Sequence, residues 1–139
     1  MASIHEQGFD RAWGSSEISM LMQGAGVFSL IAKTIGKPDN PPVGFIMIRM
    51  AADEAEILSI AVNKSSRRRS VGQQLMAETI RRLQSERTKT LFLEVAATNS
   101  AAIGLYNVLK FKTISERQNY YSRPDENNAA ALVMRLDLD

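Results

Sequence analysis

Cysteine is absent from the 139 residues, which excludes disulfides, thiolate zinc sites and a cysteine nucleophile. A reducing cytoplasm fits. Histidine occurs once, at His5, too little for a histidine-based metal site or a Ser-His triad, and no metal is expected. No apolar run approaches the roughly 18 residues needed to span a bilayer. The opening "MASIHEQGFDRAWG" has no hydrophobic core to serve as a signal sequence. Charge of one sign is also scarce: the formal balance of +2 does not by itself mark a nucleic-acid binder, and 4 of the 17 basic residues cluster between Lys64 and Arg69. Proline and glycine, at 4 and 8 residues, are too few for a disordered or collagen-like chain. What is present, 45% hydrophobic and 23% charged residues, is ordinary globular composition. The length predicts one domain over 1–139 with a single core.

Apolar spacing sets the expected elements. "WGSSEISMLMQ" reads as a short helix capped by Ser15 or Ser16, with Ile18, Leu21 and Met22 at i, i+3, i+4. "GVFSLIAK" (Gly26 to Lys33) reads as a strand, "TIGKPDNPP" as a loop, and Val43 to Ala51 and Glu56 to Asn63 as two more strands joined tightly through "ADEA". Three consecutive strands predict an antiparallel meander. From Val71 the period becomes helical, with Val71, Leu75, Ala77, Ile80 and Leu83 mostly on one face. "TLFLEVA" (Thr90 to Ala96) is a strand without alternation, as expected if both faces are covered. Asn99 to Leu109 is a second helix with Ile103, Tyr106 and Leu109 inward, and "FKTISERQNYY" and "AAALVMRLDL" are closing strands. The sum is an α/β (α+β) domain with no internal repeat.

The junction "AVNKSSRRRSVGQQL" carries the clearest chemistry. A strand ends, a basic loop follows, and a helix opens on small residues. First-turn amides and the positive dipole end of a helix bind anions. Small residues let a diphosphate approach the backbone, and Arg67, Arg68 and Arg69 add complementary charge. An exposed basic turn before a surface helix explains the same residues and stays open at this point.

"Arg67-x-x-Ser70-x-Gly72" resembles the [Q/R]-x-x-G-x-[G/A] signature of the GNAT superfamily of N-acetyltransferases. The order "IAV" strand, basic loop, helix, "LFLEV" strand, "TNSAAIGLYNVLKF" helix and "ERQNYY" strand is similar to the RimI-type subgroup, whose members acetylate the N-terminal alanine of a small-subunit ribosomal protein. The segment "LEVAATNSAAIGLY" is its specific part. The resemblance, from about Trp13 to Leu138, implies the acyl-CoA N-acyltransferase fold: a mixed sheet flanked by helices, here without its usual first strand. It implies acetyl-CoA as cosubstrate, with Ile60, Ala61 and Val62 presenting backbone groups to its acetyl and pantetheine portion. Arg67 to Gln73 (Arg67, Arg68, Arg69, Ser70, Val71, Gly72, Gln73) would wrap the diphosphate, and Asn99 would bond the pantetheine arm. Glu94 would be the general base and Tyr106 the general acid beside the cofactor. Trp13, Asn119, Tyr120 and Tyr121 would border the acceptor.

Elementary chemistry agrees with those roles. An α-amine, with a reference pKa of about 7.7–8.0, must lose a proton on acylation, and a nearby carboxylate can take it. Glu94 lies in an apolar strand where a carboxylate has no packing role, and burial there would raise its pKa. Tyr106 follows Asn99 by two helical turns and shares its face. Backbone amides of "SIAV" suit an oxyanion. Each residue also has a plain structural explanation: Glu94 as an ion-pair partner, Tyr106 as a core aromatic, Asn99 as a helix cap, Trp13 as an apolar anchor, and Asn119, Tyr120 and Tyr121 as strand packing.

Two glycines of the family pattern are replaced. Ser70 adds a Cβ beside the diphosphate path, with weaker cofactor affinity expected and a hydroxyl able to cap the helix. Lys110 stands at a helix end where a left-handed conformation is expected, at roughly 1 kcal/mol relative to Gly. A missing first strand would leave an open sheet edge and invite a homodimer, or the start site is placed too late. Acetylation of a lysine or a small amine, a non-catalytic module binding coenzyme A or a partner, and nucleic-acid binding through Lys64 to Arg69 are the alternatives. No direct nucleic-acid or membrane partner is expected.

Overall fold

Strand-forming runs dominate the chain, and they meet in one mixed sheet. The computed structural model describes residues 16–22, 26–34, 41–63, 70–121 and 129–138. In chain order the elements are β1 (Ser16–Met22), β2 (Val27–Thr34), β3 (Gly44–Ala51), β4 (Glu54–Val62), α1 (Val71–Ser85), β5 (Thr90–Ala96), α2 (Ser100–Val108), β6 (Lys112–Tyr121) and β7 (Ala129–Asp137). The seven strands lie in the order β1-β2-β3-β4-β5-β7-β6. Only β4 and β5 run parallel, and each other neighbouring pair is antiparallel. The α/β expectation and the antiparallel meander hold, with β2, β3 and β4 within a residue or two of their expected bounds.

One expected element is wrong in kind. Residues 16–22 form strand β1 and not a helix, paired with β2 from Ser16↔Thr34 to Met22↔Phe28. The segment supports two periods: Ile18, Leu21 and Met22 fit a helix, while Ile18, Met20 and Met22 alternate as a strand. Seven residues are too few for propensity to decide, and the free edge of β2 offers a full ladder of hydrogen-bond partners, which a short isolated helix lacks. The edge of β2 that the sequence left open is therefore paired, and β1 is the outer strand.

Both described helices pack on one face. Val71, Leu75, Met76 and Leu83 of α1 and Tyr106 of α2 join Leu91, Leu93 and Val95 of β5 in one buried cluster. Full burial of such side chains stabilises by about 1.5–3 kcal/mol each. The inward stripe of α1 is Val71, Leu75, Met76, Thr79 and Leu83, with Ile80 half-buried; Ala77, expected inside, is exposed. Gly44 permits the close seat of the helix: a Cβ there would meet the Ala61 carbonyl oxygen at 2.9 Å and Val71 Cγ1 at 3.2 Å. The start of α1 is thereby fixed against the end of β4.

The end of α2 follows its expected geometry. Lys110 has φ 78°, the left-handed region that favours glycine. Its amide donates to the Asn107 carbonyl at 3.0 Å and the Phe111 amide donates to the Tyr106 carbonyl at 3.0 Å. These are the paired bonds of a Schellman cap, with the accompanying apolar contact made by the Tyr106 and Phe111 rings, 5.6 Å apart.

A break in β4 creates the working space. Met47 pairs Ser59 but Ile48 pairs Ile57, so Leu58 is an extra residue, a β-bulge that bends the strand. The bulge shifts the alternation by one, which puts Ile60 and Val62 on the core side with Ala55 and Ile57. Pairing with β5 runs only through Glu54↔Thr90, Ala55↔Leu91 and Glu56↔Phe92. Beyond that rung the two central parallel strands diverge, and the sheet opens.

Candidate functional site

A cleft of about 550 Å³ lies at this opening, lined by Ile60, Ala61, Val62, Ser70, Gly72, Gln73, Asn99, Ala101, Ala102, Leu105 and Tyr106. Three elements converge there: the diverged end of β4, the first turn of α1 and the first two turns of α2. Eight of the residues singled out in the sequence line this one cleft: Ile60, Ala61, Val62, Ser70, Gly72, Gln73, Asn99 and Tyr106. Val71 contributes its side chain to the core, only 1% exposed, so its part in a site is confined to its backbone. Arg67, Arg68, Arg69 and Trp13 lie outside the described residues. Asn119, Tyr120 and Tyr121 end strand β6, and their side chains are outside the described set.

The start of α1 has features that suit an anion. Ser70 caps it with φ 62° and ψ 22°, and of the two uses open to its hydroxyl, capping the helix or bonding phosphate, the capping bond is not made. The Ser70 carbonyl accepts from the Gln74 amide at 2.9 Å, which starts the helical ladder and leaves the amides of the first turn for a ligand. No acidic side chain sits in that turn, so nothing opposes negative charge at the dipole's positive end. A Cβ on Gly72 would reach only ordinary contact, 3.5 Å from Leu105 Cδ2. The strain falls on Ser70, since a left-handed non-glycine residue costs about 1–2 kcal/mol. Ser70→Gly is expected to stabilise the fold by about 1 kcal/mol, to raise Tm by roughly 4 °C, and to tighten acetyl-CoA binding. Thermal melts and calorimetric titration check both.

Asn99 serves as the cap of α2: its Oδ1 accepts from the Ala102 amide at 3.2 Å. That bond commits the acceptor and leaves the Nδ2 hydrogens, so the group Asn99 can offer the cleft is a donor. Tyr106, two turns on, lines the same cleft, as its spacing predicts. It is 4% exposed, and burial pushes its phenol up from 10.0 to about 12. The hydroxyl therefore holds its proton throughout the neutral range.

Glu94 is placed differently from expectation. Leu91, Leu93 and Val95 of β5 point into the core with the helices, while Phe92 and Glu94 take the opposite face. Its side chain is 33% exposed, and its Oε1 lies 3.3 Å from Arg117 Nη2. The expectation of a buried carboxylate at Glu94 does not hold. Glu94 lines a second cleft of about 370 Å³ with Arg49, Glu54, Glu56, Phe92 and Val133, among others. Glu94 and Tyr106 thus belong to different cavities on the two faces of the sheet. Glu94 lies two residues beyond the last β4–β5 rung at Phe92, where the sheet is open.

Sequence reasoning missed Ala101, Ala102 and Leu105 as cleft residues, and missed the bulge at Leu58. The first three carried a signal: with Asn99 and Tyr106 they form one helical face, and the two alanines keep it low enough for a ligand. The bulge carried none, because every residue of "EILSIAV" suits a strand.

Comparison with known proteins gives the chain its relatives. The profile of the acetyltransferase (GNAT) family matches residues 3–111. Ribosomal protein bS18-alanine N-acetyltransferase of Salmonella typhimurium is 35% identical over 100 residues, covering 72% of this chain and 67% of that protein. The protein of the same name from Escherichia coli K12 is 36% identical over 94 residues, covering 68% and 63%. The chain thus spans about two thirds of the length of these curated relatives. The crystal structure of the ribosomal-protein-S18-alanine N-acetyltransferase from Escherichia coli superposes with a TM-score of 0.76 at 32% identity, covering 84% of this chain and 72% of that one. A bulged strand diverging from its parallel neighbour, a helix start free of acidic residues and a profile match over most of its length agree: the chain belongs to the acetyltransferase (GNAT) family of N-acetyltransferases.

Proposed function

We propose that residues 1–139 act as one N-acetyltransferase domain that moves an acetyl group from acetyl-CoA to a protein N-terminal α-amine, with the N-terminal alanine of a ribosomal protein as acceptor. The observation that carries the cofactor is the cleft where β4, α1 and α2 converge. Its donor set fits the molecule part by part. First-turn amides around Gly72 and Gln73 suit a diphosphate, the Asn99 amide suits a carbonyl of the pantetheine arm, and the β4 edge over Ile60, Ala61 and Val62 suits an extended amide chain laid as an extra strand. The choice of acceptor rests on the relatives' activity, and a ribosomal acceptor puts the enzyme in the cytoplasm.

Acetyl-CoA supplies the activated acyl group. Glu94, at the opened edge of β5, takes the proton that the amine gives up as the new C–N bond forms. Tyr106, on the helical face, donates a hydrogen bond to the sulfur as the C–S bond breaks, and coenzyme A leaves as its thiol. Carboxylate and phenol line clefts on opposite faces of the sheet, which suits an acceptor approaching from the side of Glu94 and a cofactor held on the side of α1 and α2.

The test is acetyl transfer to synthetic peptides beginning with alanine, followed by mass spectrometry of the product, with an N-terminally blocked lysine peptide and a small diamine as competitors. Selective modification of the α-amine supports the proposal. Preference for the lysine or diamine would replace the acceptor class, and tight acetyl-CoA binding with no transfer to any amine would make the chain a binding module.

A further inference from the structure

The ion pair at Glu94 has an unusual reach. Its partner Arg117 lies on β6, which is not the neighbour of β5; β7 runs between them. Adjacent strands lie about 4.8 Å apart, so the arginine extends over roughly 10 Å of sheet. The row it crosses is made of small residues: Arg117 pairs with Ala131 of β7, and Ala131 pairs with Ala96 of β5. These paired positions share the face of Glu94, which stands two residues before Ala96. The guanidinium therefore spans β7, where the residue paired with Arg117 is Ala131, and arrives diagonally at the carboxylate, with Nη2 3.3 Å from Oε1. Arg117 is also the last residue of the regular β6–β7 register before its break ahead of Tyr121, so its backbone is anchored by the ladder.

The Arg117–Glu94 pair itself adds little stability. Both side chains are open to solvent, 55% exposed for Arg117 and 33% for Glu94. Exposed pairs contribute about 0–1 kcal/mol, and a long arginine loses rotamer entropy to make one. Orientation accounts for the arrangement. A carboxylate whose side chain is 33% exposed has room for more than one rotamer, whereas a base must stand within hydrogen-bond reach of the proton it removes. With Oε1 engaged by the guanidinium, Oε2 is the oxygen left to meet the acceptor.

We propose that Arg117 is a positioning residue that holds the Glu94 carboxylate at the mouth of the β4–β5 opening, an inference that rests on the base role given to Glu94 above. Two measurements test it on the full chain. Side-chain 13C relaxation at Glu94 reports its order whether or not any amine is acetylated. Arg117→Ala is expected to lower that order, and Arg117→Lys to restore part of it. In kinetics, Arg117→Ala is expected to reduce kcat/KM for an alanine-led peptide about tenfold or more, as displacement of a catalytic group does. KM for acetyl-CoA and the melting temperature stay as in the parent. In a Glu94→Gln background the same substitution has no further effect. Unchanged order at Glu94 in Arg117→Ala overturns the proposal, and so does an equal kinetic loss in the Glu94→Gln background. If the parent acetylates no amine, the function proposed above falls, while the relaxation result still decides whether Arg117 orients Glu94.

Discussion

Glu94→Gln is expected to lower kcat for acetyl transfer by about 10²–10⁴-fold, the range supplied by a positioned general base, with no change in acetyl-CoA affinity. The amide keeps the shape of the side chain, and its carbonyl can still accept from Arg117, but it cannot take a proton at neutral pH. The site's geometry separates the two effects. The carboxylate lines the cleft shared with Arg49, Glu56 and Phe92, whereas the proposed cofactor cleft is lined from the other face. Surface changes away from packed features shift stability by about 0.5 kcal/mol or less, and a side chain 33% exposed falls in that class. A melting temperature equal to the parent's, with kcat lost, assigns the loss to chemistry. Full activity in Glu94→Gln, measured by single-turnover transfer at saturating peptide, would remove Glu94 from the reaction.

The parts of the site that were readable in the sequence are those fixed by local chemistry. Helix periodicity placed Asn99 and Tyr106 on one face, and both line the cleft. Departures from a glycine pattern flagged Ser70 and Lys110, and both have positive φ. The strand bounds of β2 to β5 followed from apolar runs between turn residues. The unreadable parts depend on neighbours. Residues 16–22 fit two periods at once, and the edge of β2 chose between them. In α1 the stripe drifted by a residue, so that Met76 and Thr79 are buried where Ala77 was expected. "LFLEV" reads as fully buried because four of its five residues are apolar, yet both described helices sit on one side and leave Phe92 and Glu94 on the other. That asymmetry follows from the crossovers between β4, β5 and β6, which no window of sequence contains. The bulge at Leu58 is likewise a matter of register between two strands, and it is the feature that opens the sheet.

Tyr106→Phe is expected to lower kcat by about 10²-fold, the lower end of acid–base catalysis, and to change the alkaline stability of the fold in a direction the burial of the phenol dictates. Burial raises its pKa from 10.0 to about 12, so the folded chain holds this proton more tightly than the unfolded one. Below pH 10 both states are protonated and the contribution is complete. Between about pH 10 and 12 the unfolded state ionises first and stability falls, by roughly 2–3 kcal/mol in all at 1.36 kcal/mol per pKa unit. The phenylalanine variant has no proton to lose, so its urea midpoint should fall less than the parent's across that window. The same shift constrains the chemistry. A thiol of ordinary pKa near 8.5 is a far stronger acid than this phenol, and complete transfer of the phenolic proton to a free thiolate would be uphill by about 5 kcal/mol. In the proposed reaction Tyr106 would therefore act by donating a hydrogen bond to the sulfur while charge develops there, with the amine's own proton supplying the thiol by way of Glu94 or solvent. Activity should accordingly show no loss from tyrosine ionisation below about pH 11, measured as kcat against pH at saturating substrates. An undiminished kcat in Tyr106→Phe would show that the buried phenol is packing for α2 and Phe111 and takes no part in acetyl transfer.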